Sequence, residues 1–366
     1  MAGSTEVFDV IVAGGGPGGA LAALLCARSG LKTLLLEKRR LPRDKVCSGM
    51  IMGPWAHTIV EREFGSIPQD ILTDPPLLAG HMIHAPGAES QIVECRTPMA
   101  WRKNLDFWMV QKAREQGAEI RDAARLVHVS QENSVCSLNI EKKSVQSELK
   151  ARFVVGADGA SSAVRKSLFP ELKVRYSAPV RECYKGSLDI DRNYYHWFFP
   201  RERARPRFGL HHKEDFFLIE GGGIRELREE INQILAPHGF NPDSKPLWKD
   251  GCLEALLHLE LISGAFFPAA GNILLVGDAA GLIFPITFEG IGAALKSASL
   301  AAESILQADK TNEKAAGVYA KMLRPVIESI GRLHGLNRNL EEAADEGVHE
   351  LSRALASAYA ETLKVR

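Results

Sequence analysis

The stretch Phe8–Gly19, FDVIVAGGGPGG, decides the fold. Phe8 to Val12 is a short β-branched run suited to a buried parallel strand. It passes into Gly14-Gly15-Gly16-Pro17-Gly18-Gly19, which fits GxGxxG through Gly14, Gly16 and Gly19. Ala20 to Ser29 reads as a small-residue helix with Gly30 as its C-cap, and Lys32 to Leu36 as a second strand. Glu37 stands at the end of that strand, 18 residues past Gly19.

The physical demands of this pattern interlock. The first glycine permits a tight turn, the second lets the backbone approach a pyrophosphate, and the third lets the helix pack closely on the strand. The helix N-terminus offers free N–H groups and the positive end of its dipole to the phosphates. The Glu37 carboxylate suits the hydroxyls of a ribose and repels a 2′-phosphate. Lys38 follows it directly. The stretch therefore predicts a dinucleotide site made of Gly14, Gly16, Pro17, Gly19, Glu37 and Lys38.

Two later segments share its grammar. Arg152 to Val155 is an apolar strand that leads into Gly156-Ala157-Asp158-Gly159, and Ile273 to Val276 is one that ends in Gly277-Asp278-Ala279-Ala280-Gly281. Phe284-Pro285-Ile286-Thr287-Phe288-Glu289-Gly290-Ile291-Gly292 follows, and then an alanine-rich helix to about Leu306. An Asp just past a strand can accept from a ribityl hydroxyl. Free N–H groups at Gly290 to Gly292 would support negative charge on a reduced isoalloxazine ring.

Together these motifs resemble the p-hydroxybenzoate hydroxylase-like flavoproteins, a group that includes the aromatic hydroxylases and the geranylgeranyl reductases. The resemblance spans about residues 6 to 305. It implies that the glycine loop, the segment with Asp158 and Gly159, and the segment from Asp278 to Gly290 and Ile291 all touch one FAD. Arg102-Lys103-Asn104-Leu105-Asp106 resembles the group's RxxxD helix start and implies that Arg102 lies near the flavin or its phosphates. Where the family usually has glycine before the Glu, this chain has Phe288. Arg43-Asp44-Lys45-Val46-Cys47-Ser48-Gly49 resembles the CxG that many geranylgeranyl reductases place beside the flavin. There Cys47, as a neutral thiol in apolar surroundings, is a candidate proton donor, or a small buried residue that shapes the cavity.

Tyr195-His196-Trp197-Phe198-Phe199-Pro200 fits YxWxFP, which the geranylgeranyl reductase family carries on the sheet of its substrate lobe. The family follows it with GxG; here the second glycine is replaced, in Gly209-Leu210-His211. Strand alternation sends Tyr195, Trp197 and Phe199 to one face. That face is either core or the wall of a dry pocket for a long apolar ligand, and with Pro200 and Phe288 it makes the expected substrate wall. Aromatic rings would also steady positive charge developing on an alkene carbon.

The resemblance implies an FAD-dependent reductase of carbon–carbon double bonds in a prenyl or similar apolar chain. The same motifs serve a monooxygenase that hydroxylates an aromatic or polyketide-type substrate, and a non-catalytic flavin scaffold is a third reading. A halogenase would carry WxWxIP, which is absent. Gly221-Gly222-Gly223 precedes charged residues rather than a second GxGxxG, so the electrons are expected from a visiting NAD(P)H or a redox protein.

Composition bounds the rest. The chain of 366 residues carries 45 Lys plus Arg and 45 Asp plus Glu, which leaves no net field to attract nucleic acid. Short basic runs such as Arg201 to Arg205 read as solvated surface. Six scattered cysteines without a CxxC, and no visible secretory signal, point to reduced thiols in a cytoplasm. The His pairs lack a third ligand, so no metal is expected. Ala265–Ile286, the most apolar long segment, contains Asp278, prolines and glycines and cannot span a membrane. Peripheral contact with a bilayer stays open for a lipid substrate.

The expected class is α/β. A Rossmann-like FAD lobe is assembled from residues 1–75, 97–172 and 264–310. An antiparallel-sheet substrate lobe comes from 76–96 and 173–263, and a helical tail from 311–366 has helices at Glu313–Ile330 and Asn339–Leu363. A lid, a dimer contact and a membrane-resting surface are equally open for the tail.

Overall fold

The computed structural model describes residues 6–85, 87–199 and 207–364. Pro200 and the basic run Arg201–Arg205 lie outside them. Among the described residues the strands form an eight-stranded sheet, a seven-stranded sheet and a two-stranded ribbon.

The first sheet is built on the opening stretch. Strand Glu6–Ala13 pairs in parallel with Thr33–Leu36 on one side and with Val145–Gly156 on the other. Glu119–Arg121 and Ile273–Leu275 extend the parallel order outward. Val10, Ile11 and Val12 have no solvent exposure, as expected for a parallel sheet covered on both faces. The helix between the first two strands starts at Pro17 rather than Ala20, with Gly16 as N-cap and proline in the first turn. It packs against helix Ile291–Thr311 and helix Arg102–Glu115.

The second sheet has the order Trp248–Gly251, Val180–Lys185, Phe216–Gly221, Phe208–Lys213, Tyr194–Phe198, Leu72–His84, Gln91–Ala100. Its pairs are antiparallel except one: Tyr194–Phe198 runs parallel to Gly80–His84. The chain leaves this sheet after Ala100, adds strands to the first sheet, and re-enters it at Val180, so those two strands are not joined by a hairpin. Gly221–Gly223 ends a strand and turns toward the helix Arg228–Leu235.

The tail is helical but divided elsewhere. One 32-residue helix runs from Ala315 to Glu346 and a second from Val348 to Leu363. The expected break between 330 and 339 is absent because the buried series Ile330, Leu333 and Leu340 keeps helical spacing across it. Gly347, with φ +128, makes the actual stop. The last helix covers the second sheet: Leu351, Leu355, Ala358 and Tyr359 pack in one cluster with Tyr195, Trp197 and Phe199. No helix among the described residues is long and apolar enough to cross a membrane.

Candidate functional site

A cleft of about 1040 Å³ joins the two sheets. The glycine loop forms one end. At Gly14 (φ +110) a Cβ would fall 2.2 Å from the Ala157 carbonyl oxygen, and at Gly19 it would fall 1.8 Å from the Gly14 oxygen. The loop is thus locked both to the next strand and to itself. At Gly16 a Cβ would meet nothing nearer than the Arg102 and Arg43 guanidinia, at 3.8 and 3.9 Å. Its backbone is open to a ligand with two cations beside it. Gly14, Gly16 and Pro17 line the cleft, whereas Gly19 does not; its part is packing.

Charge around this end is arranged as a chain. Glu37 accepts from the backbone N–H groups of Gly15 and Arg39, at 3.0 and 2.9 Å, and from Arg43 Nε at 3.1 Å. Arg43 Nη1 reaches Asp106 at 2.7 Å, and Asp106 takes a two-pronged grip from Arg102 at 2.6 and 3.0 Å. Burial opposes the Arg102 charge, but Asp106 and the neighbouring Cys47 hold its guanidinium well above the ordinary range. Lys38 is exposed at the cleft edge. Arg43 had no assigned role in the sequence; one basic residue in a loop looks like solvated surface until Glu37 and Asp106 are brought to it.

The two later acidic motifs meet across the cleft. Asp158 Oδ2 caps the helix Ala163–Leu168, accepting from Ala163 N at 2.6 Å. Its Oδ1 is buried without a hydrogen bond among the described residues, and burial raises its carboxyl. Asp278 lies opposite, with Lys45 Nζ at 3.9 Å. Arg165, 1% exposed, ties the two segments together. Its guanidinium donates to the carbonyls of Ala160, Asp278 (3.3 Å) and Ala279 (2.7 Å). Nothing beside Arg165 in the sequence gives a sign of this clamp, because two of its three carbonyl acceptors lie more than a hundred residues away.

Gly290 and Ile291 line the cleft at the start of helix Ile291–Thr311, and Gly159 lines it beside Asp158. The N–H groups there are not all free, which corrects the expectation. Gly292 N donates to Glu289 Oε1 at 2.5 Å and Ala293 N to Oε2 at 3.2 Å. A carboxylate just before the helix meets its unsatisfied donors first. Burial pushes the Glu289 carboxyl up to about 7 against the pull of those donors. A carboxyl raised above its unfolded value of 4.5 stabilises the fold fully below that pH, and the contribution is lost as pH rises through 7. Glu254, which burial beside Asp278 also pushes up to about 7, acts in the same direction. The buried histidines, held low by burial, act the other way below pH 6.5, so urea unfolding midpoints are expected to fall between about pH 6.5 and 8. Glu289→Gln should reduce that fall by about 1 kcal/mol; an unchanged slope refutes the assignment.

Phe288 has φ +54, a left-handed conformation that explains why glycine suits this position. Its ring lines the cleft 5.3 Å from the Arg207 guanidinium. Arg207 also lies within 5.1 Å of Trp197, 5.7 Å of Phe199 and 5.9 Å of Tyr359, and donates to the Ile286 carbonyl. A cation at the centre of four rings was not legible as such, since the rings come from three separate segments of the chain.

On the substrate side Tyr195 and Trp197 line the cleft, but Phe199 does not. All three are buried, Tyr195 at 0%, Trp197 at 8% and Phe199 at 1%, in one cluster with the last helix. The wall is also not dry: Arg181, Arg207, Glu220, Asp250 and Glu254 share it. Cys47 lines the cleft too, packed against the apolar core of the first sheet with cations beside it. Arg181 Nη1 donates to the Cys47 carbonyl at 2.7 Å. Second-sheet residues folding back onto the Cys47 turn bring those charges there: Lys213 Nζ holds the carbonyls of Ser48 and, at 3.1 Å, Ala100.

An open Gly16 backbone flanked by arginines, an acid at the strand end and an unpaired Asp158 oxygen fit FAD, and the arrangement defines an FAD-dependent oxidoreductase. Residues 7–182 match the FAD binding domain family. The chain is 26% identical over 378 residues to digeranylgeranylglycerophospholipid reductase 2 of Methanopyrus kandleri, covering 96% of this chain and 90% of that protein. It is also 26% identical over 341 residues to geranylgeranyl diphosphate reductase of Synechocystis, covering 84% and 77%. The crystal structure of a geranylgeranyl bacteriochlorophyll reductase-like protein from Thermoplasma acidophilum shares the fold with a TM-score of 0.77 at 21% identity, over 98% of this chain and 97% of that one. The chain thus carries an FAD binding domain and is similar along most of its length to proteins named geranylgeranyl and digeranylgeranylglycerophospholipid reductases.

Proposed function

We propose that this protein reduces carbon–carbon double bonds in a prenyl or similar apolar chain. The observation that carries the reading is the shared cleft: Tyr195 and Trp197 open onto the same space as the glycine loop, Asp278 and Gly290. In this reading Gly14, Gly16, Pro17, Glu37, Lys38, Arg102, Asp158, Gly159, Asp278, Gly290 and Ile291 hold FAD. Bound reduced FAD supplies two electrons and one hydrogen to the alkene. Tyr195, Trp197 and Phe288 flank the chain and exclude water, and Arg43 and Arg102 face the pyrophosphate. The electrons come from NAD(P)H or a redox protein, and a lipid substrate is collected at a bilayer surface.

The test is anaerobic. The flavin is reduced, lipid or quinone extracts are added, and mass spectrometry should find products heavier by two hydrogens. Turnover only with stoichiometric oxygen consumption would instead make the protein a monooxygenase. Cys47→Ala separates the two accounts of that thiol. It should leave FAD binding intact and slow reoxidation of pre-reduced flavin by an alkene; an unchanged single-turnover rate removes Cys47 from the chemistry.

A further inference from the structure

Reducing an isolated alkene needs a proton as well as the electrons FAD carries, and the cleft wall contains a hydroxyl–carboxyl pair built into the second sheet. Tyr195 Oη donates to Glu220 Oε1 at 2.7 Å, and both residues line the cleft. The pair is possible because of a glycine. Gly209 is the partner in register of both Trp197 and Glu220 on neighbouring strands, and a Cβ there would fall 2.0 Å from Tyr195 Oη. The tyrosine hydroxyl occupies the space that any other residue at 209 would fill. The aromatic motif and the first glycine after it are therefore one device, which aims the hydroxyl at Glu220.

The second glycine of that pattern, replaced here by His211, adds to it. His211 is fully buried, stacks on the Tyr195 ring with centroids 5.1 Å apart, and places Nδ1 3.8 Å from Glu220 Oε1. Neither ring nitrogen has a hydrogen-bond partner among the described residues. Burial drives its imidazole well below the usual range, so it faces the carboxyl as a neutral group. Of the charged groups around Glu220, Arg181 is held in a two-pronged grip by Asp250, at 3.0 and 2.8 Å, and Lys213 is engaged by carbonyls. None of them forms an ion pair with Glu220. Burial raises the Glu220 carboxyl, consistent with a group that retains a proton.

We propose that Tyr195, recharged by Glu220, is the proton donor to the alkene carbon. The inference rests on the reductase reading above. In the balanced step the π bond breaks and two C–H bonds form. One takes its hydrogen and both electrons from bound reduced FAD, which is oxidised as the substrate is reduced. The other takes the Tyr195 hydroxyl proton. Glu220 returns a proton to the phenolate oxygen and recovers its own from water in the cleft. Tyr195 is the group that meets the substrate, and Glu220 acts through it.

The experiment uses Tyr195→Phe and Glu220→Gln holoproteins, pre-reduced without oxygen and mixed with geranylgeraniol in detergent. Wild type should reoxidise in one turnover, and both variants should do so roughly 100-fold more slowly. FAD affinity within twofold of wild type, and reoxidation by oxygen, which puts no proton on carbon, show that each variant retains a working flavin site. Infrared titration of the flavin-free protein gives a readout independent of turnover. The protonated-carboxyl absorption near neutral pH, to which Glu254 and Glu289 also contribute, should lose one component in Glu220→Gln and keep it in Tyr195→Phe. A reactive wild type with equally reactive variants overturns the relay alone, as does an infrared band that Glu220→Gln leaves undiminished. A wild type inert toward geranylgeraniol overturns the reductase reading, and this inference with it.

Discussion

Gly19→Ala is expected to leave a folded protein that purifies without flavin. The added methyl would sit 1.8 Å from the Gly14 carbonyl oxygen and 3.2 Å from the Ala157 Cβ. The nearest obstacle is backbone, so no rotamer change can relieve it. Either the helix Pro17–Arg28 lifts off the first strand or the loop around Gly14 opens. Both displace the N–H groups that would face a pyrophosphate. Overpacking of this kind costs about 1–3 kcal/mol; if that strain falls on the bound state, affinity for FAD drops about 5- to 150-fold. The ratio of flavin to protein absorbance after gel filtration measures it. Gly317→Ala is the matched control. Its Cβ would meet nothing within 4 Å on a helix, so flavin content should be unchanged and stability should rise by about 0.5–1 kcal/mol. Full flavin content in the Gly19 variant would refute the assigned loop.

Arg165→Met carries the second large effect. The arginine lies in the interior and spends its donors on three carbonyls from two separate motifs. Methionine fills much of the volume but leaves the Ala160 and Ala279 oxygens without that donor, while the Asp278 oxygen keeps Gly281 N. Each buried unsatisfied group costs about 1–3 kcal/mol, so a total loss of about 3–5 kcal/mol is expected. For a chain of this size that lowers Tm by roughly 6–10 °C. The segment carrying Asp158 also loses its connection to the segment carrying Asp278, so FAD should be released before the global transition. Fluorescence of freed flavin would then rise at lower temperature than the loss of helical signal. Arg152→Met is the comparison: its ion pairs to Asp9 and Asp309 are exposed and worth about 1 kcal/mol or less. Coincident flavin release and unfolding in Arg165→Met would show that Arg165 stabilises the fold without linking the motifs.

The cofactor half of the cleft was more legible than the substrate half. Gly14, Gly16, Glu37, Asp158 and Asp278 each sit just past a parallel strand, and parallel strands deliver their C-terminal ends to one edge of a sheet. A local motif therefore reports a global position. The aromatic strand carries no such guarantee. Alternation placed Tyr195, Trp197 and Phe199 on one face, but which of the three meets the cleft depends on the helix Val348–Leu363, about 150 residues later. The same holds for Cys47, which was read from a resemblance. In space it sits between the apolar core of the first sheet and arginines and a lysine from other elements.

The sequence alone determined the parallel sheet, its glycine loop and FAD as the cofactor, because glycine geometry, strand composition and the order of four motifs act within short spans of chain. Only the tertiary structure decided the character of the substrate wall. It brought Arg207 among four rings, set Tyr195 on Glu220 above a bare Gly209, and clamped two motifs with Arg165. Buried charges and hydroxyls must find partners somewhere, and those partners are chosen by packing between distant elements, which no local pattern encodes.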